Sequence, residues 1–101
     1  MSAEPLYTLA RWRVSEGALD TVLSLLPALI AASRREPGNQ LYRIFQHHDA
    51  DQRTLVLLEG YADRAALDAH RQSEHFQRIV VGEIAKLLEG REVSELVELG
   101  P

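Results

Sequence analysis

The chain has 101 residues, enough for one hydrophobic core and too few for two, so residues 1–101 read as a single domain. Hydrophobic residues make up 46% and charged residues 26%, a mixture that suits a globular fold and excludes a disordered chain. The net charge of −4 comes without any run of Lys or Arg, which argues against a nucleic-acid partner; the absence of cysteine removes disulfides, thiolate nucleophiles and cysteine metal sites.

No uninterrupted apolar segment approaches the roughly 18 residues of a membrane helix, and Met1 to Pro5 lack the basic-then-apolar pattern of a leader. A cytoplasmic protein with no membrane partner is therefore expected. Leu6 to Val14 mixes aromatic and aliphatic residues with Thr8, Arg11 and Arg13 and reads as a strand, with Leu6, Thr8, Ala10, Trp12 and Val14 on one face. From Ala18 to about Arg35 the period changes: Leu19, Val22, Leu23, Leu26, Leu29 and Ile30 fall at helical intervals. Pro27 removes one backbone donor inside that helix and is expected to bend it, and Pro37 and Gly38 end it.

Gln40 to His48 and Thr54 to Tyr61 read as a β-hairpin around the polar turn Asp49 to Arg53. Asp63 suits the N-cap of a short helix through about His70, and Ser73 that of a longer one from Glu74 to Glu89. The longer helix carries a buried stripe of Phe76, Ile79, Val80, Ile84, Leu87 and Leu88, with Gly90 as its stop and Glu92 to Leu99 as a last strand. The order βαββαβ predicts an α+β, ferredoxin-like domain: an antiparallel four-stranded sheet with helices on one face. In so small a chain the other face needs a cover. A second copy closing its own sheet onto it, a homodimeric α/β barrel with an enclosed cavity, is the expected assembly.

The run Glu36-Pro37-Gly38-Asn39, then Tyr42, then Leu57-Leu58-Glu59-Gly60-Tyr61, then Ala66-Leu67-Asp68-Ala69-His70 and Ser73-Glu74-His75-Phe76, resembles the antibiotic biosynthesis monooxygenase family over most of the chain. The family pattern is E-P-G … Y … E-x-[W/Y] … A-L-x-A-H-x-x-S-x-H-F, and each residue stands here in order and at compatible spacing. The resemblance implies a dimeric barrel and, for several relatives, oxygenation of quinol-like or polyketide aromatic substrates without metal or flavin. It also implies a place for His70 at the mouth of the pocket. Haem-degrading relatives use an asparagine on the first strand, a tryptophan after the third and a histidine on the last long helix. Ala10, Tyr61 and Val80 stand at those places here, so the proximal iron ligand is missing and haem degradation is not expected.

Glu59 and Tyr61 are two apart in a strand and share a face, which makes them candidates for a cavity wall. A carboxyl against apolar walls has its charged form disfavoured, which suits proton transfer; the rival role for Glu59 is a structural pair with an arginine such as Arg43. An imidazole can take or give a proton near neutral pH, which makes His70 the other candidate base, against a structural role at a helix end; His75 is expected to be structural. His47 and His48 face opposite sides of a strand, and His70 and His75 are five apart instead of the four that stack on a helix, so no metal site is expected. Trp12, Tyr42, Phe45, Tyr61 and Phe76 can wall a slot for a flat ring, two or three of them touching the cavity, Trp12 and Tyr61 foremost. Arg43, with Arg11 and Arg13, is a candidate for holding an anionic oxygen.

The reading that follows is a cofactor-independent monooxygenase for a small aromatic or quinol-like substrate. His70 or Glu59 is the base, molecular oxygen the co-substrate, and Trp12, Tyr42, Arg43, Tyr61 and Phe76 the substrate-binding groups. Two alternatives stand beside it: a non-oxidative isomerase or lyase using the same base, and a non-enzymatic small-molecule-binding barrel.

Overall fold

In the computed structural model, which describes residues 4–100, alternation of side chains across the sheet sets the interior. Strand β1 (Leu6–Val14) buries Thr8, Ala10, Trp12 and Val14, the face expected from the sequence. Helix α1 (Leu19–Arg34) buries Val22, Leu26, Leu29 and Ser33 and runs through Pro27 without a break. Pro27 sits on its exposed face, where the carbonyl that loses its donor can turn to water.

Strands β2 (Asn39–Gln46) and β3 (Thr54–Tyr61) form the expected hairpin. β2 ends at Gln46, earlier than expected; the His47 N–H still donates to the Thr54 carbonyl at 2.8 Å, closing the hairpin, and the turn follows. Helix α2 (Arg64–Gln72) starts at Asp63, whose carboxylate accepts from the Ala66 N–H at 2.9 Å, a side-chain N-cap. The third helix, α3 (Phe76–Ile84), is wound wider than an α-helix: the Ala85 N–H reaches the Val80 carbonyl five residues back. A single 3₁₀ turn (Ala85–Leu87) follows, and then β4 (Leu88–Leu96).

The expected stop at Gly90 is therefore corrected. Gly90 lies inside β4, opposite Arg13, and the strand covers Leu88–Leu96 instead of Glu92 to Leu99. Pairing decides this: the Ser15 N–H donates to the Leu87 carbonyl at 2.9 Å and Val14 pairs with Leu88, so the chain must be extended from there.

The sheet order is β2-β3-β1-β4, antiparallel throughout, with the helices on one face, the ferredoxin-like arrangement expected from the element order. The registers build rows across the sheet. Tyr42, Glu59, Thr8 and Glu95 form one row, and Gln46, Leu55, Trp12 and Arg91 another, all on the helix side. The opposite face has no helix: Leu9 and Phe45 are 37% and 43% exposed there, beside half-buried Val56 and Leu58. Among the described residues no helix is long and apolar enough to cross a membrane.

Gly38 ties the end of α1 to α2. Its carbonyl accepts from the Ala62 N–H at 2.9 Å, and a Cβ placed on it would overlap the Ala66 Cβ. Gly38→Ala is expected to cost about 1–3 kcal/mol through overpacking and to lower the thermal midpoint by roughly 4–8 °C per kcal/mol. Ala66→Gly in the same chain should restore part of that loss, a pairing that differential scanning calorimetry can read.

Candidate active site

A cavity of about 340 Å³ lies between the helices and the sheet of one chain. Thr8 and Ala10 are small, and beside the bulk of Trp12 they leave space beneath α3, which closes over it with Phe76 and Val80. The cavity is thus not the space between two sheets that a barrel of two copies was expected to enclose; it sits under the helices, and Arg71, Gln77, Arg91 and Val93 line its other side. β4 is exposed along most of its length, so the cavity opens at that edge.

His70 stands in the last turn of α2 with only 2% of its surface exposed, inside the cavity wall and not at a solvent-facing mouth. Its ring is packed by Tyr42, Tyr61 and Phe76, with ring centres 5.6, 5.4 and 5.2 Å away. Nδ1 lies 2.7 Å from Oε2 of Glu36, and the same oxygen is 2.5 Å from Nε2 of His75. An ionised carboxylate only accepts, so both imidazoles donate to Glu36: His70 through Nδ1–H, His75 through Nε2–H. The other nitrogen of His70, Nε2, is left with a lone pair 3.6 Å from Oε1 of Glu59.

Ser73 makes this convergence local. Its hydroxyl donates to the His70 carbonyl at 2.6 Å and accepts from the Phe76 N–H at 3.2 Å, ending one helix and capping the next. The helical-spacing argument that separated His70 from His75 presumes an unbroken helix. With the break at Ser73 the two rings come within 5.9 Å, centre to centre. Glu36, His70 and His75 are consequently a group able to offer three metal-ligand atoms within 4.8 Å of one another. Their O···N separations of 2.5 and 2.7 Å are nevertheless hydrogen-bond lengths. Ligands at zinc bond lengths of about 2.0–2.1 Å in a tetrahedron stand roughly 3.3 Å apart. As packed, the three groups form a hydrogen-bonded cluster.

Burial raises the Glu59 pKa above its ordinary value, although the Tyr61 hydroxyl, which donates to Oε1 at 2.5 Å, the charge His70 carries once protonated, and the Arg71 charge pull it down. Burial, with the Glu59 charge adding to it, raises both Tyr42 and Tyr61 as well, so these phenols remain protonated donors. Proton acceptance in the cavity falls to Glu59 and His70.

Of the residues singled out from the sequence, Trp12, Tyr42, Glu59, His70 and Phe76 line the cavity. Tyr61 does not: it is fully buried behind Glu59 and acts on it through the hydroxyl. Arg43 and Phe45 belong to the opposite face, where the Arg43 guanidinium lies 5.0 Å from the Phe45 ring centre. Arg43 cannot meet a ligand beside His70, because Tyr42 points inward and its neighbour must point outward. The pairing considered for Glu59 and Arg43 is likewise replaced by Tyr61 and His70. Arg11 shares the outer face, and Arg13 is held by Asp51 at 3.1 and 2.5 Å. Glu36, Arg71 and Arg91 are additions that single-residue reasoning missed; Glu36 was in view only as the first letter of a motif.

Glu59→Gln tests the buried carboxyl. Because the folded pKa is raised, the unfolded chain loses its proton first, and wild-type stability falls as pH rises from the ordinary carboxyl value through the folded one. The amide of the variant cannot ionise. Glu59→Gln should therefore gain stability relative to wild type as pH rises above the ordinary carboxyl value in urea unfolding, with the difference vanishing at the acid end.

The sequence profile of the antibiotic biosynthesis monooxygenase family matches residues 5–81. Rv0793 of Mycobacterium tuberculosis, provisionally named a monooxygenase, is 38% identical over 82 residues, 79% of each chain. Its solved structure superposes with a TM-score of 0.86 at 32% identity, covering 97% of this chain and 98% of that one. YcnE of Bacillus subtilis, also provisionally named a monooxygenase, is 38% identical over 58 residues, 57% of this chain and 60% of its own. The structure of PA3566 from Pseudomonas aeruginosa gives a TM-score of 0.88 at 29% identity over 99% of both chains.

Proposed function

This chain belongs to the antibiotic biosynthesis monooxygenase family, and on that premise we propose that it oxygenates a small hydroxylated aromatic, quinol-like or anthrone-like, without metal or flavin. The observation that carries the reading is the pair His70 Nε2 and Glu59 Oε1, 3.6 Å apart on the cavity wall. A substrate hydroxyl oxygen can stand about 2.7–2.9 Å from both atoms at once, the distance a general base requires. Tyr42, Trp12 and Phe76 then hold the ring.

The base takes the hydroxyl proton and the electron-rich anion passes electrons to molecular oxygen. At an anthrone-like CH₂ the balance is R₂CH₂ + O₂ → R₂C=O + H₂O: one oxygen atom enters the carbonyl, the other leaves as water, and the substrate supplies every electron. His70 acts as the base through Nε2. Glu36 is its positioning residue, holding Nδ1–H so that the lone pair faces the cavity, and stabilising the imidazolium once formed. His75 anchors Glu36 by the second N–H.

Oxygen-electrode assays with hydroquinone and anthrone substrates test this. His70→Ala should lower kcat by roughly 10²–10⁴ with KM little changed. Glu36→Gln should lower kcat by a smaller factor, because the amide accepts the hydrogen bond without the charge. Turnover without oxygen uptake would favour an isomerase or lyase, and unchanged kinetics in His70→Ala and Glu59→Gln alike would remove the pair as the base.

The apolar sheet face bearing Leu9, Val56, Leu58 and Phe45 supports a homodimer as part of this proposal. Light scattering over a dilution series should give about twice the 11.3 kDa chain mass; a monodisperse monomer at micromolar concentration would contradict it.

A further inference from the structure

Away from His70 and Glu59, the cavity wall carries a second set of polar groups that lack partners. Trp12 of β1 stands directly opposite Arg91 of β4, and both line the cavity. Trp12 is 2% exposed, and its indole N–H is buried with no acceptor. A buried donor left unpaired is destabilising, so one on a cavity wall points to an acceptor brought by a ligand. Arg91 makes no ion pair and no side-chain hydrogen bond among the described residues, although it stands on the same wall. The other lining arginine, Arg71, reaches only Glu95, at 3.7 Å, and that carboxylate is already held by Arg64 at 2.5 and 3.1 Å. Glu59 is the one acid among the lining residues. The Trp12–Arg91 end of the cavity is therefore positive and unneutralised.

Spacing between the two ends indicates what fits. The row of Glu59 crosses β1 at Thr8 and the row of Arg91 crosses it at Trp12, four residues and about 13 Å further along the strand. Side chains reaching in from both rows shorten the gap to the length of a two- or three-ring system. We propose that Trp12 and Arg91 form a carboxylate subsite, so that the cavity selects a flat aromatic acid: its hydroxyl between His70 and Glu59, its carboxylate on the Trp12 indole N–H and the Arg91 guanidinium. This rests on the hydroxyl-first orientation of the oxygenase reading. It adds a substrate class, the hydroxylated aromatic carboxylates, and a reason for that class.

The test compares 6-hydroxy-2-naphthoic acid with its methyl ester, two probes of the same shape with the hydroxyl and the carboxyl group at opposite ends. Calorimetric titration of the full-length protein under argon measures binding without turnover. At low salt the acid should bind about tenfold more tightly than the ester, the scale of one charge-assisted contact in a partly dry site. Arg91→Gln should abolish that preference and Arg91→Lys should keep part of it. Trp12→Phe should weaken the acid several-fold more than the ester. Equal affinities in wild type, a preference that survives Arg91→Gln, or no binding of either probe at millimolar concentration would overturn the subsite. Because no oxygen is consumed, the two readings fail separately. Acid preference without oxygen uptake leaves the subsite and removes the oxygenase. Oxygen uptake without acid preference does the reverse.

Discussion

One oxygen atom, Oε2 of Glu36, organises the closed part of the cavity. It receives N–H groups from two imidazoles that sequence separates from it by 34 and 39 residues, and its side chain is only 15% exposed. Charge-assisted hydrogen bonds of this kind are shorter and stronger than neutral ones, and each fixes the ring that donates. Once His70 Nδ1 is committed to Glu36, its Nε2 has a single direction left, toward Glu59 and the cavity. The E-P-G turn, the break at Ser73 and the close approach of Gly38 to Ala66 are then parts of one device that brings the end of α1 against the end of α2.

The sheet supplies the second half of the site by register alone. Tyr42, Glu59 and Thr8 stand in one row through the register of the hairpin and of the β1–β3 pairing, and a one-residue slip would turn the face that buries Leu55, Leu57 and Tyr61 outward. Glu59 is buried with Tyr61 as its hydrogen-bond donor, and burial raises its pKa while raising that of the tyrosine too. Two ionisable groups thus stand side by side in different environments, one carboxyl in a dry row and one imidazole tied to a carboxylate, the arrangement on which the proposed base rests. The wide winding of α3 spreads Phe76 and Val80 over the cavity, in keeping with the frequent association of such turns with functional sites.

Much of this was legible from residue order. Period-2 alternation in Leu6–Val14 and Thr54–Tyr61 gave the correct buried faces, and the punctuation at Pro37-Gly38 and Asp63 gave correct helix boundaries to within a few residues. Legibility ended where long-range pairing overrode local pattern. Gly90 has the look of a helix stop, yet the demand of β1 for a fourth strand draws it into β4. His70 and His75 look misaligned on a helical ruler, yet the chain is not helical across Ser73. Arg43 and Tyr42 are adjacent letters on opposite faces, so a motif that includes one says nothing of the other. Arg91 carries no local signal at all; its place at the cavity follows only from its register against Trp12.

The site depends most on Glu36 fixing the tautomer of His70, which leaves Nε2 unprotonated toward the cavity. Two-bond ¹H–¹⁵N correlation spectra of uniformly labelled protein report the tautomer of each histidine directly, with no substrate present. Neutral His70 should show a protonated Nδ1 and a bare Nε2 in wild type, shifting toward the opposite tautomer in Glu36→Ala. A wild-type His70 protonated at Nε2, or a spectrum indifferent to the loss of Glu36, would contradict it.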